Sequence, residues 1–137
     1  MRAVLALLTL ATLAGCANPP LPAVDPGKAW IEMFTTTGRL VMAESLDGRK
    51  LNDGRYFQVD PGSHELEVRF DYEMYAGGGL VNDPFDRTCY LTVRYDGFKA
   101  GQRYRLEGRA IAMQASARLY DSSRQIVAED RAIHCIP

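Results

Sequence analysis

Residues 64–74 alternate strictly between two kinds of side chain, and this pattern constrains the fold more than any other feature of the chain. The apolar members fall on one face: Leu66, Val68, Phe70, Tyr72 and Met74. All the residues between them are charged. A period of two is typical of a β-strand that buries one face, because successive side chains of a strand point to opposite sides of the sheet. Asp60-Pro61-Gly62-Ser63, just before, favours a turn.

The chain beyond residue 27 continues with short apolar stretches separated by turn signals. Strands are predicted at 30–34, 40–43, 56–59, 64–74, 89–95, 104–109, 118–120 and 126–128, with a possible last one at 133–136. Asp47-Gly48 predicts a tight hairpin, and residues 110–113 either extend a strand or cross to another sheet. No segment after residue 16 has the period of an amphipathic helix. The pattern predicts an all-β domain, a seven- to eight-stranded antiparallel β-sandwich.

The N-terminus has the organisation of an export signal. Arg2 is followed by an apolar run that ends in Leu13-Ala14-Gly15-Cys16. The run is too short to span a hydrocarbon core of about 30 Å, and a buried helix is disfavoured because Pro19, Pro20 and Pro22 follow it. We therefore predict a signal peptide at 1–15, a Pro-rich tether at 16–27 and a β-sandwich domain at 28–137.

Leu13-Ala14-Gly15-Cys16 resembles the lipobox of bacterial lipoproteins. The resemblance implies that Cys16 is lipidated and becomes the mature N-terminus after cleavage before it. Ala17 and Asn18 follow in place of the aspartate that often retains lipoproteins at the inner membrane, which implies an outer-membrane anchor with the domain facing the periplasm. Several acyl chains together hold a protein stably on a bilayer.

Cys89 and Cys135 remain once Cys16 is assigned to the lipid. In an oxidising periplasm an even remainder favours a disulfide. Two buried free thiols are the alternative.

A second resemblance involves the Asp47-Gly48 hairpin and the segment Pro61-Gly62-Ser63-His64-Glu65-Leu66-Glu67-Val68. Together they are similar to the PEGA-type β-sandwich module, and residues 100–106 are similar to a segment of small bacterial envelope lipoproteins. The resemblance implies a prealbumin-like or immunoglobulin-like sandwich and no particular activity. The segment 75–88 lies outside the PEGA pattern.

The charges and the reactive side chains disfavour several classes of function. Without Arg2, 15 Lys and Arg residues face 17 Asp and Glu residues, interspersed, so nucleic acid is not an expected partner. Only His64 and His134 are histidines, and no zinc spacing is present. His64 is expected to hydrogen-bond the hairpin, and a Cys–His pair at 134–135 would need a free thiol. We predict no cofactor and no catalytic site.

The segment 75–86 is the most unusual stretch and the candidate binding loop. Its members of interest are Gly77, Gly78, Gly79, Asp83, Phe85 and Asp86. Binding residues often lie on loops held by a rigid scaffold. Calcium is a weaker interpretation, since the spacing of Asn82, Asp83 and Asp86 matches no calcium loop, and an ordinary flexible hairpin loop is the simplest one.

A group of arginines is predicted on the outer face of the sheet. Arg103, Arg105 and Arg109, with Arg94 on a neighbouring strand, are expected to pair with Glu65, Glu67 and Glu73 as a solvated face. The alternative is a site for an anionic ligand such as peptidoglycan or lipopolysaccharide.

Together these observations predict a non-enzymatic binding or accessory module anchored to the outer membrane. Its partners would be the membrane, through the lipid on Cys16, and an envelope protein or a cell-wall component. A periplasmic inhibitor or defensive protein directed at a hydrolase is the alternative. A small hydrolase that uses His64 is the third and weakest hypothesis.

Overall fold

The computed structural model describes residue 15, residues 17–75 and residues 83–136, and in that part the chain is all-β with no helix. The predicted signal peptide, Cys16 and Gly77–Gly79 lie outside the described residues. The strands are β1 (Ala29–Phe34), β2 (Leu40–Leu46), β3 (Arg49–Lys50), β4 (Tyr56–Val59), β5 (Gly62–Met74), β6 (Phe85–Phe98), β7 (Arg103–Ile111), β8 (Gln114–Tyr120) and β9 (Ile126–Ile136). No helix in this part is long and apolar enough to cross a bilayer.

All nine strands belong to one sheet with the order β3-β2-β5-β6-β9-β8-β7-β1-β4. Every neighbouring pair is antiparallel except β1 and β7, which run parallel with Trp30 opposite Arg103. Strand β9 links the half that contains β2, β3, β5 and β6 to the half that contains β1, β4, β7 and β8.

The sheet curls so that its two halves face each other across one core. A Cβ added to Gly108 on β7 would lie 2.9 Å from Cδ2 of Phe70 on β5 and 3.2 Å from Cβ of Val41 on β2. All five apolar side chains that alternate along β5 are buried, as the sequence predicts. The opposite half contributes Ile31, Leu106 and Leu119 to the same core. Apolar burial of this kind is the main favourable term in folding.

The strands differ from the sequence prediction in number and direction. There are nine instead of seven or eight, because the Asp47-Gly48 turn forms a hairpin with the two-residue strand β3. Both turn residues have positive φ, 50° and 77°, as a two-residue hairpin turn requires. The segments predicted at 126–128 and 133–136 are one continuous strand, which a register shift opposite Thr92 and Val93 accommodates. The prediction of a wholly antiparallel arrangement is wrong for β1 and β7.

Cys89 and Cys135 lie directly opposite each other on β6 and β9 and form a disulfide. Their Cα atoms are 4.0 Å apart, and Cys89 is fully buried. The predicted pairing is confirmed.

Candidate functional site

The two histidines differ in their surroundings. His64 Nδ1 lies 2.6 Å from Asp47 Oδ2, and its Nε2 lies 2.8 Å from the carbonyl oxygen of Asp60. The other Asp47 carboxylate oxygen accepts a hydrogen bond from the backbone N–H of Glu65 at 2.8 Å. His64 thus fastens the β2–β3 hairpin to the turn before β5, while His134 is exposed beside the disulfide.

Replacing Asp47 with asparagine is expected to remove a pH-dependent contribution to stability. Partial burial raises the pKa of the Asp47 carboxyl, but the Glu65 N–H, His64 and Arg49 outweigh it and hold the pKa below its usual 3.8. The charged form is therefore favoured in the folded state, and its stabilisation is present above pH 3.8 and lost as the pH falls below it. Asp47→Asn should lower the free energy of unfolding at pH 7 by about 0.5–1 kcal/mol, discounted for partial exposure. Urea unfolding across pH 2–7 measures this.

Asp96→Asn provides a control, because the side chain of Asp96 is 73% exposed and pairs only with Arg94 among the described residues. Asparagine also tolerates the positive φ of position 47, so the substitution isolates the charge. A difference between wild type and Asp47→Asn that stays constant from pH 7 to pH 2 would contradict the electrostatic origin.

The described part of the predicted binding loop lies at one end of the sheet. Phe85 begins β6 opposite Met74, is 46% exposed, and is followed by Asp86 opposite Glu73. Asp83 is exposed just before this strand. Within residues 15, 17–75 and 83–136, no group of three or more His, Cys, Asp or Glu side chains is placed to hold a metal ion. A role of this loop in binding stays a prediction.

The predicted arginine face is present only in part. Arg103, Arg105 and Arg109 lie on β7, but Arg94 lies on β6, which β9 and β8 separate from β7. The acidic partners also differ from the prediction. Arg105 pairs with Glu32 on β1 at 2.8 Å, and Arg109 pairs with Glu107 of its own strand at 3.6 Å. The glutamates of β5 belong to the other half of the sheet, so the predicted pairs between them and the β7 arginines are wrong.

A cleft of about 330 Å³ lies where β1, β7 and the end of β8 meet. Its volume falls within the range of small-ligand sites. Trp30 and Tyr120 provide aromatic surface, and Arg103, Arg105 and Arg124 provide cationic groups. Trp30 is itself held by a parallel stack on Tyr56 of β4, with ring centroids 4.4 Å apart. The Trp30 side of the cleft is therefore held in place by a neighbouring ring. We call this site the β1–β7 cleft.

Of the three arginines that line the β1–β7 cleft, one has an acidic partner and two do not, among the described residues. Arg105 is paired with Glu32 and its guanidinium also lies 4.8 Å from the centre of the Phe34 ring. Arg103 and Arg124, in contrast, have no acidic partner within 4.0 Å among the described residues. Unpaired guanidinium groups beside aromatic surface can receive a carboxylate or a phosphate through charge-assisted hydrogen bonds.

The turn between β8 and β9 holds Arg124 in an unfavourable backbone conformation. The φ angle of Arg124 is +62°, where side chains other than glycine and asparagine are rare. Asp121 organises the turn, because one of its carboxylate oxygens accepts from the N–H groups of Ser123 and Gln125, both at 2.9 Å. Residues held in sparse backbone conformations are concentrated at functional sites. The turn therefore fixes the backbone of Arg124 at the edge of the β1–β7 cleft.

The sequence indicated some parts of this site and missed others. The sequence marks Arg103 and Arg105 as candidates for an anionic ligand. Trp30 and Tyr120 stand only in predicted strands, and no pattern marks Arg124. A local signal for Arg124 does not exist, because arginine is not a residue that turn chemistry favours at positive φ.

No model of a known protein family, no curated protein and no solved structure matches this chain.

Proposed function

We propose that this chain is an outer-membrane lipoprotein whose β-domain binds an anionic component of the cell envelope in the β1–β7 cleft, without catalysing a reaction. The export signal and the lipobox-like residues before Cys16 support the anchor and the periplasmic location. The observation that carries the binding role is Arg124, which faces the cleft in a strained turn without an acidic partner among the described residues.

We also propose that the scaffold is a prealbumin-like sandwich. One half of the single sheet has the order β4-β1-β7-β8 and the other β3-β2-β5-β6, and this supports the proposal because a sandwich also packs two such layers face to face. Strand β9 then joins them along one side. A rigid scaffold of this kind suits a binding module, because the cleft residues come from three strands and one short turn.

Carboxylates and phosphates are the anions that guanidinium pairs receive best, and the envelope offers both. Peptidoglycan stem peptides carry carboxylates, and lipopolysaccharide carries phosphates. Calorimetric titration of the mature chain with soluble muropeptides and, separately, with lipopolysaccharide would distinguish the two sources. The proposal is supported if wild type binds one of these ligands and if Arg103→Gln and Arg124→Gln each lower the affinity at least fivefold. The control is Arg49→Gln, an exposed arginine on β3, which should leave affinity unchanged. Equal affinity of all three variants and wild type, or binding of neither ligand, would overturn the cleft assignment.

Affinity isolation of the lipidated protein from membranes addresses the wider role. We expect wild type to recover cell-wall fragments or envelope proteins, and Arg103→Gln to recover smaller amounts of them. Recovery of a foreign hydrolase that the protein inhibits would favour the inhibitor alternative instead.

Replacing Arg124 with glycine is expected to separate stability from binding. Glycine adopts positive φ without strain, although it also loses more chain entropy on folding. We expect the free energy of unfolding to stay equal or to rise by up to about 1 kcal/mol, while affinity for the anionic ligand falls. Thermal unfolding and calorimetry on the same sample measure both. A clear loss of stability would show that the Arg124 side chain has a structural role.

A further inference from the structure

The Pro-rich segment before β1 lies along the domain. We call residues 17–27 the strap. The strap ends in a turn, in which Lys28 N–H donates to the carbonyl oxygen of Asp25 at 3.1 Å and Gly27 N–H donates to the Asp25 carboxylate at 2.8 Å. Asp25 N–H reaches the side-chain oxygen of Gln58 on β4 at 3.4 Å. The turn therefore directs the strap back along β4.

Arg55, just before β4, holds the other end of the strap. Its Nη1 donates to the carbonyl oxygen of Pro19 at 2.8 Å. The guanidinium is oriented for this contact, because its Nε and Nη2 bind the Asp53 carboxylate at 2.9 Å and 2.6 Å. A group that is already ordered loses less entropy when it makes a further hydrogen bond.

The composition of the strap suits an extended segment held at two points. Pro19, Pro20 and Pro22 restrict the backbone, so little chain entropy is lost on docking. The strap also exposes two apolar side chains, Leu21 at 52% and Val24 at 39%. These side chains are available to the boundary region of a bilayer, where apolar groups are favoured.

We propose that the strap holds the β4 side of the domain against the bilayer that carries the lipid anchor. This inference rests on the proposed lipidation of Cys16. Only three residue steps separate Cys16 from Pro19, which is a reach of about 11 Å at most. With the strap docked, the domain cannot move farther from the membrane than this link permits. If the strap were free instead of docked, its residues 17–27 would let the domain move about 34 Å away, at ~3.1 Å per residue. The bilayer is thus the partner of the surface formed by β4, Leu21 and Val24.

The single tryptophan of the chain allows a direct test. Trp30 lies on β1 and stacks on Tyr56 of β4, so it is close to the proposed membrane side. Residues 16–137 contain all nine strands, and with Cys89 and Cys135 bridged, Cys16 is the one free thiol available for coupling. This chain is coupled through Cys16 to a maleimide-headed lipid in phosphatidylcholine vesicles that contain a dansyl-headed lipid. Energy transfer from Trp30 to dansyl reports the distance of the domain from the membrane.

We expect efficient energy transfer from Trp30 to dansyl in wild type. The double variant Arg55→Gln/Gln58→Ala loses both strap contacts, and its transfer efficiency should be at least twofold lower. Arg94→Gln is the matched control, because Arg94 also pairs with an aspartate two residues away but does not contact the strap. It should transfer as wild type does. Equal transfer from wild type and the double variant, with both folded by thermal unfolding, would overturn the proposal.

Hydrogen exchange of the same chain without lipid provides a second measurement that needs no variant. The amide of Asp25 should exchange at least tenfold more slowly than an unfolded peptide of that sequence, because it is hydrogen-bonded to Gln58. Exchange of the Asp25 amide at the rate of the unfolded peptide would also overturn the proposal that the strap is docked. Because the anchor is attached chemically, these outcomes are independent of lipidation in cells. Absence of lipid on Cys16 in cells would remove the proposed function and leave the docking of the strap intact.

Discussion

Replacing both Cys89 and Cys135 with alanine is expected to lower the free energy of unfolding by about 3–4 kcal/mol. The bridge closes a loop between residues that are 46 positions apart, and the unfolded chain gains the corresponding freedom when it is removed. The bridge also joins β6 to β9, the strand that connects the two halves of the sheet. A loss of this size should reduce the melting temperature by roughly 10–20 °C for a domain of this length.

Chemical unfolding of the wild type in oxidised and reduced form provides the control, because reduction opens the same loop without changing a side chain. The reduced wild type and the alanine double variant should unfold at similar denaturant concentrations. Equal midpoints for oxidised wild type and the double variant would mean that the bridge contributes nothing to stability.

Replacing Gly108 with valine is expected to lower the free energy of unfolding by about 2–3 kcal/mol. Valine is favourable in a strand, so a loss must come from packing. The added Cβ would lie 2.9 Å from the ring of Phe70, which is fully buried in the core. Gly108 is therefore the point at which the two halves of the sheet approach most closely among the glycines of the described strands. Urea unfolding measures the effect.

A double-mutant cycle tests the cause. Phe70→Leu opens space opposite position 108, so Gly108→Val should cost at least 1 kcal/mol less in the Phe70→Leu background than in wild type. If the two substitutions lower the free energy of unfolding additively, Phe70 does not limit position 108, and β5 and β7 do not face each other at this point.

The local elements of this fold could be predicted, because their signals lie within a few residues. The alternation of residues 64–74 predicts β5 with the correct buried face, and Asp47-Gly48 predicts the hairpin at which positive φ is observed. The pairing of Cys89 with Cys135 follows from counting cysteines once Cys16 is assigned elsewhere. Each of these needs no knowledge of how distant strands meet.

The arrangement of the strands could not be predicted in the same way. The parallel pairing of β1 and β7 joins residues more than 70 positions apart in the sequence. Just after β1, the Thr35 hydroxyl likewise donates to the Gly108 carbonyl oxygen on β7 at 2.9 Å. Alternation shows that both strands have a buried face but not which strand lies beside which. The β1–β7 cleft depends on this pairing, so its residues could not be grouped from the sequence even though Arg103 and Arg105 stood out.

The strap shows a similar limit. Proline content predicts an extended tether at residues 16–27. Arg55 and Gln58, which contact this segment, lie just before β4 and on β4, the strand beside β1 in the folded sheet. Whether a Pro-rich segment spaces a domain from a membrane or lies against that domain is decided by tertiary structure.

The proposed membrane anchor depends on lipidation of Cys16, and labelling with radioactive palmitate tests this lipidation most directly. Wild type and Cys16→Ser, each expressed from the full chain, are recovered from bacterial membranes and compared for label, with intact mass measured in parallel. We expect label on the wild type, none on Cys16→Ser, and a wild-type mass that lacks residues 1–15 and includes acyl chains. Absence of label from the wild type, or equal label on both proteins, would contradict it.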